Sequence, residues 1–207
     1  MSAISRRGVC LVVAAPSGAG KTALTRALLA EEPNLSLSVS ATTRPPRPGE
    51  QEGVHYFFRS EAEFASLRDG GQLLEWAEVF GRRYGTPRAP VEAALAAGRD
   101  LVFDIDWQGF RQLRAALPGD VVGLFVLPPS LAALEERLKG RGTDSAEVIT
   151  GRMRLAREEM SHAPEFDHVL VNDDFAAALA GCRAVLHAAR STAARLSGLP
   201  GFLAELG

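Results

Sequence analysis

The stretch Ala15-Pro16-Ser17-Gly18-Ala19-Gly20-Lys21-Thr22 joins a short apolar run to an amphipathic one, and its residue types can hold phosphate. It matches the phosphate-loop pattern G-x-x-x-x-G-K-[ST] everywhere except the first position, where Ala15 replaces glycine. Gly18 and Gly20 let successive backbone N–H groups ring an anion, and the start of the following helix adds its partial positive charge. Lys21 would bridge the outer two phosphates of a nucleoside triphosphate, and the Thr22 hydroxyl would ligate magnesium. The chain keeps lysine at only one other position, Lys139, among many arginines. That rarity, and the strand-to-helix context, set the loop apart from an ordinary glycine-rich turn.

A phosphate loop names no second substrate, and the rest must come from residues further along. Arg44 and Arg47 lie three apart on a proline-stiffened loop, Thr42–Gln51. The arginine fork matches phosphate oxygens two at a time. Tyr56 and Tyr84 can donate a phenolic O–H to the same anion. Two phosphates that must approach to roughly 3–3.5 Å for in-line transfer need such fixed cations. The Glu75 carboxylate can accept two adjacent N–H donors at once, and Ser40 and Thr86 offer hydroxyls that can donate or accept. Asp104 ends an apolar strand and is either a magnesium-organising acid or a helix cap, and Asp106 carries a similar ambiguity. Arg137 and Arg141 flank a Gly140/Gly142 break, with Arg152 on the helix beyond. Arginines on a glycine-hinged loop can swing in over transferring charge. Trp76 reads as core, and Asn172 with Asp173 as either adenine contacts or the cap of the last helix. The four histidines show no metal spacing.

Elements must position these groups. Gly8–Ala15 reads as a buried parallel strand and Lys21–Glu31 as a helix with Leu24 and Leu28 inward. Leu35–Ser40 alternates apolar and polar residues and predicts a strand. Ser60 and Glu63 form a capping box for a helix ending near Gly70. Leu73–Phe80 and a piece beginning at Tyr84 are extended. Pro90 opens a helix closed by Gly98, and Leu101–Ile105 and Val121–Leu127 are strands. Ser130 caps a helix with Leu131, Leu134 and Leu138 on one face, and Asp144 starts the next, striped by Ile149, Met153, Ala156 and Met160. A strand at His168–Val171 precedes a final helix on Phe175, Leu179, Cys182 and Leu186. Strand–helix alternation at both ends, with short strands between, predicts a doubly wound α/β core with an insert.

Composition agrees with one globular unit. Of 207 residues 46% are hydrophobic, and 23 basic against 25 acidic residues give a net charge of −2. That charge argues against nucleic-acid binding over the whole surface. No apolar run approaches the roughly 20 residues that span a bilayer. Arg6 and Arg7 before a short apolar run resemble a signal peptide, but the run leads straight into the glycine loop and reads as a strand. Cys10 and Cys182 read as buried thiols, which fits a reducing cytoplasm.

Six segments together carry a resemblance: the phosphate loop, Ser38–Glu50 with its TTRPPRPGE, Gly53–Phe58, Tyr84-Gly85-Thr86, Asp104–Gly109, and Arg137–Asp144 with its RGRGTD. Over about Gly8–Ala189 the chain resembles guanylate kinases of the bacterial type. The resemblance implies a phosphate-loop core (8–39, 99–136 and 161–189), a GMP-binding insert (40–98) and a helical lid (137–160), with a tail from 190 to 207. It implies transfer of the γ-phosphoryl of ATP to GMP with Mg2+. By resemblance, Arg44, Arg47, Tyr56 and Tyr84 hold the GMP phosphate, and Ser40, Glu75, Thr86 and Asp106 surround guanine. Lys21, Arg137, Arg141 and Arg152 would act on the transferring group, and Thr22 and Asp104 on the metal. No nucleic acid, membrane or obligate protein partner is implied. Guanylate-kinase-like binding modules that have lost catalysis typically lack an intact phosphate loop and lid arginines, whereas Gly20, Lys21, Thr22, Arg137, Arg141 and Arg152 are all present here. A phosphorylated-sugar kinase would leave Glu75, Ser40 and Thr86 without a purine to read.

Overall fold

The computed structural model describes residues 4–79, 81–140 and 145–207. Its centre is a parallel five-stranded sheet in the order β2-β7-β1-β8-β9. The strands are β1 Cys10–Ala14, β2 Leu35–Leu37, β7 Asp100–Phe103, β8 Val121–Leu127 and β9 His168–Val171. Alternation along β1 builds both faces of the core. Val9, Leu11 and Val13 meet Leu24 and Leu28 of α1 (Lys21–Glu31) and Cys182 and Leu186 of α7 (Phe175–Arg190). Cys10, Val12 and Ala14 face Val91 and Leu95 of α3 (Arg88–Ala96) and Phe110 of α4 (Trp107–Ala116). Among the described residues no helix is long and apolar enough to cross a membrane.

A second sheet, β4-β3-β6-β5, stands beside the first. It holds β3 Ala41–Thr42, β4 Phe57–Phe58, β5 Leu73–Val79 and β6 Arg82–Pro87, with α2 Glu61–Asp69 burying Phe64. The expected capping box is present, with Ser60 Oγ accepting from Glu63 N at 3.2 Å and Glu63 accepting from Ser60 N at 2.7 Å.

Several expectations are corrected. The strand expected over Leu35–Ser40 stops at Leu37, and the chain then passes to the other sheet. Ser38 N still bonds Val102 O of the first sheet, whereas Ser40 O accepts from Phe57 N of the second. Helix α3 starts at Arg88, two residues before Pro90. Helix α4 was not delimited from the sequence, but the cap reading left open for Asp106 holds: its Oδ1 accepts from Gly109 N at 2.9 Å, and Phe110 and Leu113 are the buried stripe. Trp76 is 36% exposed, with Arg68 over its ring at 5.3 Å. A register slip between Leu73 and Glu75 buries Leu74 and Glu75 in succession and turns Trp76 outward. Leu131 and Phe175 lie on exposed sides of their helices.

The residues after Ser191 also have a task. Arg195 is buried and donates to Gly8 O at 2.9 Å, Gly119 O at 2.7 Å and Asp120 Oδ1 at 3.5 Å. Arg7, which pairs with the same Asp120, gives its own N–H to Arg195 O. Replacing Arg195 by Met strands two carbonyls while Asp120 keeps Arg7. The expected cost is about 2 kcal/mol, or a fall of about 4–8 °C in Tm by calorimetry. An unchanged Tm would make the tail an ornament.

Candidate active site

Strand β1 ends at Ala14 and helix α1 begins at Lys21, so the loop between them sits at the carboxyl edge of the sheet. Gly18 and Gly20 take φ of 96° and 98°, the left-handed values that open the loop. Both are also held closely from outside. A Cβ on Gly18 would lie 3.0 Å from Leu134 of α5 (Leu131–Lys139), and one on Gly20 would lie 2.3 Å from Asn172 Nδ2. Asn172 is buried and donates to Ala19 O at 2.7 Å, while Arg137 donates to Asn172 O at 3.0 Å. Asn172 therefore buttresses the loop. The cap of α7 is Asp174, which accepts from Ala177 N at 2.7 Å, and not Asn172 or Asp173.

The loop encloses a cavity of about 540 Å³ lined by Ser17, Gly18, Gly20, Lys21, Thr22 and Glu159, among others. Lys21 Nζ pairs with Asp104, which lies just beyond β7 and is 43% exposed. This pair leads into a second cavity of about 390 Å³, bordered by Lys21, Ser40, Tyr56, Glu75, Tyr84, Asp104 and Asp106. Thr86 lines a smaller adjoining recess of about 140 Å³ with Ser40, Tyr56 and Asp104.

Glu75 and Thr86 face each other across β5 and β6, and the Thr86 hydroxyl donates to Glu75 Oε1 at 2.6 Å. Both are buried, so Glu75 is not a charge on the solvent face of its strand. Burial pushes the Glu75 carboxyl above the usual carboxylate range; Thr86 draws it back and nearby Asp106 adds to the rise. At the other end of the cavity Tyr56 and Tyr84 meet edge to face at 6.1 Å, and the Arg44 guanidinium lies 5.3 Å from the Tyr56 ring centre. Arg44 is engaged by Glu50 at 2.8 and 3.0 Å, and Glu50 also accepts from Arg47 N at 2.7 Å. Arg47 itself is exposed on the loop.

Ser40, Tyr56, Glu75, Tyr84, Thr86, Asp104 and Asp106 thus border cavities beside the phosphate loop, whereas Arg47, Arg137 and Arg152 line none of them. Asp106 borders the cavity but spends one carboxylate oxygen on the α4 cap. Arg152 stands on α6 (Ala146–Ser161), whose cap is Ser145, while Arg141 and Asp144 lie outside the described residues. Three residues escaped sequence reasoning: Asn172 as a buttress, Glu50 as the partner of Arg44, and Glu159 in the phosphate cavity. The spacing Arg44/Glu50 on a loop carries no period, and an acid among the charges of α6 looks like a solvated one.

A family model described as guanylate kinase matches residues 7–189. The chain belongs to the guanylate kinase family. Among its relatives is a guanylate kinase of Granulibacter bethesdensis, 60% identical over 202 residues, covering 98% of this chain and 94% of that one. A guanylate kinase of Gluconobacter oxydans is 63% identical over 190 residues, covering 92% and 91%. The crystal structure of guanylate kinase from Anaplasma phagocytophilum superimposes with a TM-score of 0.75 at 34% identity, covering 98% of this chain and 96% of that one. The two cavities meeting at Lys21 and Asp104 are therefore those of a guanylate kinase family member.

Proposed function

We propose that the chain transfers the γ-phosphoryl group of ATP to GMP, giving ADP and GDP, as a nucleoside monophosphate kinase of purine nucleotide metabolism. The observation that carries this reading is Glu75, a buried carboxylate held by Thr86 in the cavity that meets the phosphate loop at Lys21. Oriented in that way, it accepts from the two donors on the guanine edge and rejects adenine by being left unpaired. Ser40 reaches O6, and Asp106 adds an acceptor beside the base. Arg44, Arg47, Tyr56 and Tyr84 take the GMP phosphate, which must displace Glu50 from Arg44. The loop amides of Ala15–Thr22 and Lys21 hold the ATP phosphates, and Arg137, Arg141 and Arg152 act on the transferring group.

Thr22 and Asp104 offer two hard oxygen donors beside the phosphate loop. Among the described residues no cluster of three or more His, Cys, Asp or Glu could hold a metal by itself. That donor set fits Mg2+, which binds through one or two protein oxygens, substrate phosphates and water. When bound, the ion neutralises charge on the phosphate oxygens. No general base is required, since the attacking GMP phosphate oxygen is already ionised near pH 7. The two buried free thiols, Cys10 and Cys182, suit a cytoplasmic setting.

Phosphotransfer from ATP to each of GMP, AMP, CMP and UMP tests the reading. Only GMP should turn over, and chelation of the metal should stop it. Absence of turnover together with absence of GMP binding by calorimetry overturns it. A smaller test concerns Ala15. The loop's left-handed angles fall on Gly18 and Gly20, so Ala15→Gly should change kcat/KM by less than about fivefold. A gain of about tenfold or more would mean that the methyl strains the loop.

A further inference from the structure

We propose that Gln112 is a positioning residue for guanine recognition: it holds β5 against α4 so that Glu75, one residue from the point of contact, stays aimed at the base. The inference rests on the kinase reading above and concerns a residue which that reading does not use. Strand β5 is an outer strand of its sheet, paired with β6. Trp76, opposite Gly85 of β6, turns its main-chain N–H and C=O to the open edge, where Gln112 meets both. Gln112 Oε1 accepts from Trp76 N at 3.1 Å, and Gln112 Nε2 donates to Trp76 O at 3.1 Å. The side-chain amide stands where one residue of a neighbouring strand would stand.

Helix α4 is a fixed base for this contact, because Phe110 and Leu113 seat it in the main core. Asp106, Gly109 and Gln112 recur every three residues along the side of α4 turned to β5. Asp106 borders the same cavity as Glu75. Gly109 lets the strand come close: a Cβ there would lie 3.3 Å from Glu75 Oε2. Glu75 is therefore framed by Thr86 on Oε1, by Gly109 beside Oε2, and by Gln112 through the main chain of the next residue. The ladder with β6 fixes β5 within its own sheet, and the register slip between Leu73 and Glu75 loosens even that. Gln112 ties the strand by two hydrogen bonds to a helix of the other layer. Two N–H donors of a base need acceptor oxygens at about 2.7–3.2 Å. A drift of β5 by about 0.5–1 Å therefore weakens both contacts at once.

The contact requires an acceptor and a donor on one side chain, which a primary amide carries. Gln112→Met keeps the length and removes both. Gln112→Glu keeps the shape and one acceptor but turns an oxygen toward Trp76 O. In both variants KM for GMP should rise about tenfold or more, with kcat and KM for ATP within about threefold, and calorimetry should show the same weakening of GMP binding. Residual turnover of AMP at high concentration should stay within about twofold, because AMP draws nothing from Glu75. A general loss of folded protein would lower GMP and AMP turnover together. In a double-mutant cycle, Gln112→Met should cost GMP several-fold less in the Glu75→Gln background than in the parent. If the Met variant fails to fold, the Glu variant carries the same expectations in its place. An unimpaired Met variant, full activity with Gln112→Glu, equal losses for GMP and AMP, or additive losses in the cycle would each overturn the proposal. A parent that neither turns over nor binds GMP overturns the kinase reading, and this proposal with it.

Discussion

Replacing Lys21 by Met lowers kcat by roughly 100-fold or more and leaves Tm close to that of the parent. The two halves of this expectation have separate causes. Phosphoryl transfer is mostly positioning and electrostatics, so an ammonium fixed at the outer phosphates acts on the charge of the transition state itself. The side chain of Met has a similar volume and no charge, and it leaves Gly18, Gly20 and the Asn172 buttress untouched. The partner that loses its cation is Asp104, which is 43% exposed and returns to water at little cost. Steady-state kinetics with a parallel melting curve decides the matter. Activity within a few-fold of the parent would remove Lys21 from the phosphates.

Glu75→Gln should lower kcat/KM for GMP by about 30-fold or more, with ATP binding nearly unchanged. The amide keeps the shape and one acceptor, but its NH₂ now meets a guanine donor. Truncating half of a buried, charge-assisted pair costs about 2–5 kcal/mol. AMP should gain relative to GMP, because its edge no longer faces an unpaired carboxylate. Since burial raises the Glu75 carboxyl, the ionised form needed for guanine exists above that raised value and is lost as pH falls through it. KM for GMP in the parent should therefore climb on acidification before an ordinary carboxylate would titrate. The Gln variant should lack that component while keeping the titration of the GMP phosphate. A constant GMP-to-AMP ratio across both proteins would place Glu75 outside base recognition.

Much of this architecture can be read from residue pattern alone, for reasons specific to each element. Strands β8 and β9 fall at the expected ends because apolar runs bounded by Pro128-Pro129 and by Asn172 leave little choice. Helix α1 is bounded by Gly20 and the chain reversal after Glu31. Helix α4 is harder to see: Asp106 reads equally as a site acid and as a cap, and Gly109 weakens the helical signal that would decide between them. The split of Leu35–Thr42 between two sheets is invisible because alternation has the same period in both. Glu75 is the case where chemistry outran pattern. Strand periodicity alone makes it an exposed acid, and only the register slip beside it accounts for its burial.

The clamp made by Arg195 has a consequence for how the chain is made. Arg195 fastens Gly8, at the threshold of β1, and Asp120, at the threshold of β8. On the ribosome β1 emerges first, and its neighbours β7 and β8 follow roughly ninety and one hundred and ten residues later. The residue that locks them follows β1 by roughly one hundred and eighty residues. At about 5–20 residues per second, the opening strand waits on the order of ten seconds or more for its final partner. The edge of the sheet opposite the phosphate loop therefore cannot be completed vectorially: the starts of β1 and β8 stay unlocked until the segment around Arg195 has been made.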